Sequence, residues 1–280
     1  MHQTILSAQN LKESLADPNW VVIDCRFQLG DPEAGRRDYE AGHIPGAQYA
    51  HLDHDLSSPM TATSGRHPLP EIDSFVKTLQ AWGVNDSSQV ICYDDMGGAF
   101  AARLWWMLNW LGHRKVAVLD GGIDAWNDLG FELQQEIESL QIGNFSAEPD
   151  DSLHVDIEFV EEAVRERRIR LADARAEARF TAEDAKTDSV AGHVPGAVSL
   201  PFAGNLSADK SFLPVDTLRD RFASLYADGA PEPVAMCGSE VTACHNLLAA
   251  QIAGLPMARL YVGSWSEWIR NPNRPVATGI

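Results

Sequence analysis

The sequence predicts an α/β fold in two halves of one design, each a mainly parallel sheet with helices on both faces. Three observations carry this prediction. Short apolar runs alternate with helix-length amphipathic ones. The second half repeats the landmarks of the first. At 280 residues the chain also has room for two ordinary domains, each with its own core. In the first half, apolar runs place strands near Val21–Asp24, Val90–Tyr93 and Val116–Leu119, and helical periodicity places helices near Ile72–Trp82 and Ala99–Leu111. In the second half, strands fall near Ile169–Ala172, Val234–Met236 and Arg259–Tyr261. The helices there fall near Ile157–Arg167, Thr217–Ala227 and Thr242–Ala253.

The repeat is explicit. Gly42-His43-Ile44-Pro45-Gly46-Ala47 returns as Gly192-His193-Val194-Pro195-Gly196-Ala197. Upstream of each, an apolar run ends in an aspartate and an arginine two residues later: Asp24 with Arg26, and Asp173 with Arg175. Asp24 precedes His43 by 19 residues and Asp173 precedes His193 by 20. Leu56-Ser57 answers Leu206-Ser207 at the same offset of 13 from the histidine. Near the ends, Gly121-Gly122-Ile123-Asp124-Ala125-Trp126 matches Gly263-Ser264-Trp265-Ser266-Glu267-Trp268. The boundary is expected in the polar, acidic stretch Glu132–His154. This divides the chain into 1–138, a linker 139–153, and 154–280.

Composition narrows the partners. A net charge of −18 argues against nucleic acid and anionic membrane surfaces, which both need a basic footprint. It leaves room for a small anionic ligand, because a few arginines make one cleft positive. No run of 18 apolar residues occurs, and the opening Met1-His2-Gln3-Thr4 lacks the basic and apolar regions of a secretion signal. The default expectation is cytoplasmic. Cys25, Cys92, Cys237 and Cys244 are widely spread, without paired C-x-x-C spacing. That suits a reducing compartment and argues against a structural metal site.

The residues that carry chemistry follow the strand Pro233–Met236. Cys237 begins a short loop, Gly238-Ser239-Glu240-Val241-Thr242-Ala243, that leads into a helix. In an open parallel sheet, ligands bind beyond the carboxyl ends of strands. A cysteine there faces backbone N–H groups and the positive end of a helix, an environment that favours a thiolate. A free thiol with a pKa of about 8.5 is only a few per cent ionised at neutral pH, and each unit of lowering is worth about 1.4 kcal/mol. Aligning the halves sets Asp94 where Cys237 stands, and an aspartate cannot carry a transferable sulfur. The first half is therefore read as a non-catalytic copy. Cys25, Cys92 and Cys244 read as packing residues, although Cys244 is also a conceivable redox partner for Cys237. A cysteine phosphatase would need an arginine six residues after the nucleophile to clamp phosphate; position 243 is alanine.

These motifs resemble the rhodanese superfamily, in particular its tandem-domain thiosulfate and 3-mercaptopyruvate sulfurtransferases, over nearly the whole chain. The resemblance implies a double displacement without cofactor or metal. Cys237 takes sulfur from a small anionic donor as a persulfide, cradled by the loop from Gly238 to Ala243, and a thiol or cyanide acceptor removes it. It further implies that Arg179 holds the donor's anionic group and that Asp53, His67 and Ser239 form a proton relay. Arg66 is placed to line the same cleft, and Lys186 is what the shortened segment Thr181–Ala191 offers in place of a second arginine. His43 and His193 are implied to be scaffold. Two departures stand out: Glu240 sits where the family usually has glycine, and Val262 where it often has aspartate, with Asp120 retained in the first half. Glu240 is expected to alter the loop or repel anions. The Cys-Gly-Ser opening points to mercaptopyruvate, the short segment after Arg179 to thiosulfate. The alternative function is a non-enzymatic persulfide carrier or sensor serving a partner protein; a catalytically silent interaction module is a third reading, against which the intact cysteine argues.

Overall fold

The computed structural model describes residues 1–138, 140–184 and 186–279. The chain forms two compact units. In the first, the elements run β1 (Ile5–Leu6), α1 (Ala8–Ser14), β2 (Trp20–Asp24), α2 (Ala34–Ala41), β3 (Gln48–Tyr49), α3 (Ile72–Ala81), β4 (Gln89–Tyr93), α4 (Ala101–Trp110), β5 (Val116–Leu119) and α5 (Gly122–Asp128). The second follows the same plan: β6 (His154–Val155), α6 (Ile157–Arg165), β7 (Ile169–Asp173), α7 (Glu177–Thr181), β8 (Val198–Ser199), α8 (Val215–Phe222), β9 (Glu232–Met236), α9 (Val241–Ile252), β10 (Arg259–Tyr261) and α10 (Ser264–Trp268).

Each unit holds one five-stranded sheet, ordered β1-β5-β4-β2-β3 and β6-β10-β9-β7-β8. Every pairing is parallel. The strand order is the same, position for position, so the duplication read from sequence motifs holds through the whole topology. All six strands read from the apolar runs are present, two with the expected bounds and four extended by a residue or two. The strands the pattern did not reveal are β1, β3, β6 and β8, each only two residues long. A two-residue strand has no room for a period.

The centre of each unit is the strand–helix pair that follows the sheet's middle. Every residue of β4 and of α4 is buried. In α9 nine residues are buried, from Val241 to Ala250. Cys92 within β4 and Cys244 within α9 therefore both lie inside. Trp126 packs with Val22, Ile91 and Leu119 in one core, and Trp265 and Trp268 with Leu171, Val234 and Tyr261 in the other.

Packing redraws the expected boundaries of 1–138, 139–153 and 154–280. The first unit comprises Met1–Ser58, Leu69–Asp150 and Ala208–Phe212; the second comprises Pro59–Pro68, Asp151–Ser207 and Leu213–Ile280. The stretch read as a linker is a strap on the first unit. The Gly143 N–H donates to Gln80 O at 2.8 Å, that of Phe145 to Val84 O at 3.1 Å, and that of Asp150 to Trp110 O at 2.8 Å. Phe145 is buried against the His113 ring. Glycine is required at 143, since a Cβ there would lie 2.0 Å from Val84 O. One buried phenylalanine and one crowded glycine are too thin a signal to read against an acidic background.

The two short exchanged arms are the larger surprise. Each follows the matched Leu-Ser landmark of its own half. In the first unit, Asp120 accepts the Phe212 N–H at 2.8 Å and Asp124 holds Lys210 at 2.6 Å. In the second, Ser266 Oγ accepts the Arg66 N–H at 3.0 Å, and Gly65 lies so close to Gly263 O that a Cβ would reach 2.6 Å. This accounts for the Asp120-to-Val262 difference. The second unit secures its arm through Ser266 and Gly65 and needs no carboxylate at position 262.

Candidate active site

The repeated aspartate–arginine pair builds the floor of each sheet's carboxyl end. Arg175 is bidentate on Asp173, with contacts from 2.7 to 3.1 Å, and its Nη2 donates to Gly192 O at 2.8 Å. Arg26, Asp24 and Gly42 O repeat the arrangement. The arginine thus ties a strand end to the Gly-His segment, which is why the two motifs recur at fixed spacing. His43 and His193 complete the tie: their Nδ1 atoms lie 2.8 Å from Tyr39 O and 2.9 Å from Phe180 O. Both rings stack on those same aromatic residues. Burial raises the Asp24 carboxyl above its usual range, against the pull of Arg26 and Tyr93.

Cys237 follows β9, beside the carboxyl end of β7, where the strand order reverses. It is 2% exposed. The loop is anchored by Ser264, whose Oγ accepts the N–H groups of Cys237 and Glu240, both at 3.2 Å, and donates to Tyr261 O at 3.0 Å. Ser264 has φ +52°; its counterpart Gly122 has φ +60°, with Asp94 O 2.2 Å from where a Cβ would lie. In the sequence Ser264 stands within the repeated end motif without an evident role. The signal was that serine replaces a glycine of the other copy.

The first copy shows what this loop holds. Asp94, matched to Cys237, accepts four backbone N–H bonds, from Met96, Gly98, Phe100 and Ala101, at 2.7 to 2.9 Å. In the first unit this loop folds around the carboxylate at its first residue. Three residues after Asp94 stands Gly97 at φ +67°; three after Cys237 stands Glu240 at φ +69°. Glu240 was expected to change the loop path. It adopts glycine's left-handed conformation instead, at a cost on the order of 1–2 kcal/mol, with its side chain fully buried.

Around the loop the second unit gathers the other predicted groups. His67 Nδ1 and Ser239 Oγ share a hydrogen bond of 2.8 Å, and both side chains are buried. Arg66 and Arg179 each bring an Nη2 to 2.9 Å from where a Cβ on Gly238 would sit, so a side chain at 238 would displace both guanidinium groups. Arg179 comes from α7 and Arg66 from the exchanged arm. Lys186 is exposed, its N–H donating to Asp184, and is not among these groups. Asp53 lies in the first unit, where its N–H donates to His51 Nδ1 at 3.1 Å. Cys244 is buried, its thiol donating to Glu240 O at 3.1 Å. Burial pushes the Cys25 thiol up.

Asp188 was missed. Its side chain is 2% exposed and receives Arg179 at 2.8 Å, Arg66 at 3.2 Å and Arg175 at 3.3 Å. Only an acid amid several arginines hinted at it. Among the described residues, one group of donor atoms lies close enough to hold a metal ion: Glu33, His51 and His54, in the first unit. His51 Nδ1 accepts an N–H, which puts the neutral ring's proton on Nε2, the atom 3.5 Å from Glu33. That leaves Nε2 no lone pair for a metal.

A family model described as "Rhodanese-like domain" matches residues 7–129 and again 156–271. A probable 3-mercaptopyruvate sulfurtransferase of Pseudomonas aeruginosa is 50% identical over 98% of this chain and 98% of that protein. A human 3-mercaptopyruvate sulfurtransferase is 33% identical over 95% of this chain and 92% of that protein. A rat thiosulfate sulfurtransferase is 31% identical over 97% and 93%. Among solved structures, SseA from Escherichia coli, a 3-mercaptopyruvate sulfotransferase, superposes with a TM-score of 0.83 at 31% identity, covering 95% of this chain and all of that one. Matched in both halves and aligned end to end with these relatives, the chain belongs to the rhodanese-like family, in its tandem two-domain form.

Proposed function

We propose that this protein is a sulfurtransferase that carries sulfur on Cys237 as a persulfide, with 3-mercaptopyruvate as its favoured donor and thiosulfate as the second. The observation that carries the reading is the His67–Ser239 hydrogen bond beside Cys237, under two guanidinium groups. The Cys237 thiolate attacks the thiol sulfur of mercaptopyruvate. An S–S bond forms, the C–S bond breaks, and the pair of electrons leaves on the enolate of pyruvate. The donor's S–H proton passes through Ser239 and His67 to that enolate, giving pyruvate and an anionic persulfide. With thiosulfate the same attack expels sulfite and needs no proton. Cyanide or a thiol then takes the outer sulfur and returns the thiolate. The loop amides that Ser264 does not engage support the persulfide's charge, as the Asp94 loop supports a carboxylate. No cofactor enters the scheme. All four cysteines are free thiols, which supports a reducing, cytoplasmic setting.

Thiocyanate formation from thiosulfate and cyanide, measured beside pyruvate release from mercaptopyruvate, tests the reading; turnover of neither donor would refute it. The proton step separates the donors further. His67→Asn and Ser239→Ala are each expected to slow pyruvate release by about 100-fold or more, the usual scale of general acid–base catalysis, while sparing thiocyanate formation from thiosulfate. Equal loss with both donors would remove the proton path. Glu240→Gln removes a negative charge two residues from Gly238. It is expected to raise kcat/KM several-fold for both anionic donors, and unchanged steady-state constants would mean that charge is not felt at Cys237.

A further inference from the structure

We propose that Asp188 is a positioning residue that sets donor selectivity, tuning the Cys237 site to a donor with one negative charge over a dianion. This rests on the sulfur-transfer reading and assigns its specificity to a residue outside the loop. One buried carboxylate takes three guanidinium groups. Arg175 is already matched by Asp173, fully buried, and stacked over the Trp265 ring at 4.7 Å, so it belongs to the scaffold. The charge of Asp188 is therefore shared between Arg66 and Arg179, the pair whose Nη2 atoms crowd Gly238. Two positive charges against one negative leave a single net positive charge for the donor. Glu240, the charged residue of the loop, adds no positive charge; its carboxylate lowers the count further and disfavours a dianion more than a monoanion. A carboxylate such as that of mercaptopyruvate is matched by this count, and thiosulfate, with two negative charges, is undercompensated.

Geometry acts in the same direction. Arg179 presents its Nε and Nη2 to Asp188 at 2.8 to 3.0 Å. The side of the fork best shaped for bidentate anion binding is thereby occupied, and Arg179 meets the donor with its remaining end. Arg66, whose side chain is 37% exposed, reaches Asp188 through Nη1 alone and is aimed by that contact.

The test is Asp188→Asn, which keeps the shape and an acceptor oxygen and removes the charge. The ratio of kcat/KM for thiosulfate to that for mercaptopyruvate is expected to rise about tenfold, mainly through a lower KM for thiosulfate, and the rise should shrink at high salt. Asp188→Glu should hold the wild-type ratio. A parallel fall with both donors, or an unchanged ratio, would reduce Asp188 to a structural residue and overturn the proposal. A second measurement is independent of turnover. In a Cys237→Ser background, calorimetry should find sulfate binding tightened about tenfold by Asp188→Asn and pyruvate binding not tightened. Should Asp188→Asn fail to fold, Arg66→Gln reads the same charge count in reverse: the donor ratio should fall at least severalfold, and an unchanged ratio overturns the proposal. Wild-type turnover of neither donor would sink the sulfur-transfer reading, while the sulfate and pyruvate titrations would still decide the role of Asp188.

Discussion

Cys237→Ser is expected to abolish both thiocyanate formation and pyruvate release, by at least about 1,000-fold, with stability changed by no more than about 1 kcal/mol. The substitution is nearly isosteric at a buried position. A serine hydroxyl is weakly nucleophilic unless an adjacent base activates it, and it cannot hold a transferable sulfur. The His67–Ser239 pair is not a substitute, since it is engaged with itself. Mass spectrometry of the wild type after donor treatment should find one added sulfur atom, absent from the variant. Full activity in Cys237→Ser would end the persulfide mechanism. Loss of activity accompanied by unfolding would show instead that the thiol is needed for packing.

The second large effect is on stability. Asp173→Ala leaves Arg175, with a fully buried side chain, without its bidentate partner. Stranding a buried charge costs about 3–5 kcal/mol. The loss should appear in the second unit's transition alone, so chemical denaturation is best followed with probes in each unit, where two-state behaviour does not hold for the whole chain. Asp188 retains one contact to Arg175, at 3.3 Å, too long and already shared to compensate. Replacing both partners by apolar residues, Asp173→Leu with Arg175→Met, should recover a good part of the loss. A change below about 1 kcal/mol in Asp173→Ala would mean that water reaches Arg175 and that the pair contributes little.

Much of this protein was legible in its residues, for reasons that particular elements make plain. Strands β2, β4, β7 and β9 are apolar runs because both faces of a parallel sheet are covered. The Asp-x-Arg and Gly-His segments recur because one arginine must bond both a strand-end carboxylate and a glycine carbonyl. Cys237 could be singled out because the helix it precedes and the strand it follows are both strong local signals, and because Asp94 marks the other copy as unable to carry sulfur. Burial of Cys92 and Cys244 followed from their neighbours in β4 and α9. The left-handed turn at Glu240 escaped, since an acidic side chain at φ +69° contradicts local preference and is held in place by Ser264 and the fold around it.

What local sequence determined, then, is the place of Cys237 between a strand and a helix, the doubled α/β design and the scaffold that repeats with it. These depend on patterns within a few turns or on identity between two stretches of chain. Only tertiary structure decided which residues stand around Cys237. Arg66 and His67 lie in an arm of the first half that packs with the second unit, and the separation of 122 positions between Arg66 and Asp188 leaves no local trace of their ion pair. Asp188 takes its importance from three arginines brought together by a loop, a helix and a strand end. A charge network of that kind is a property of distances in space, and the order of residues along the chain does not encode it.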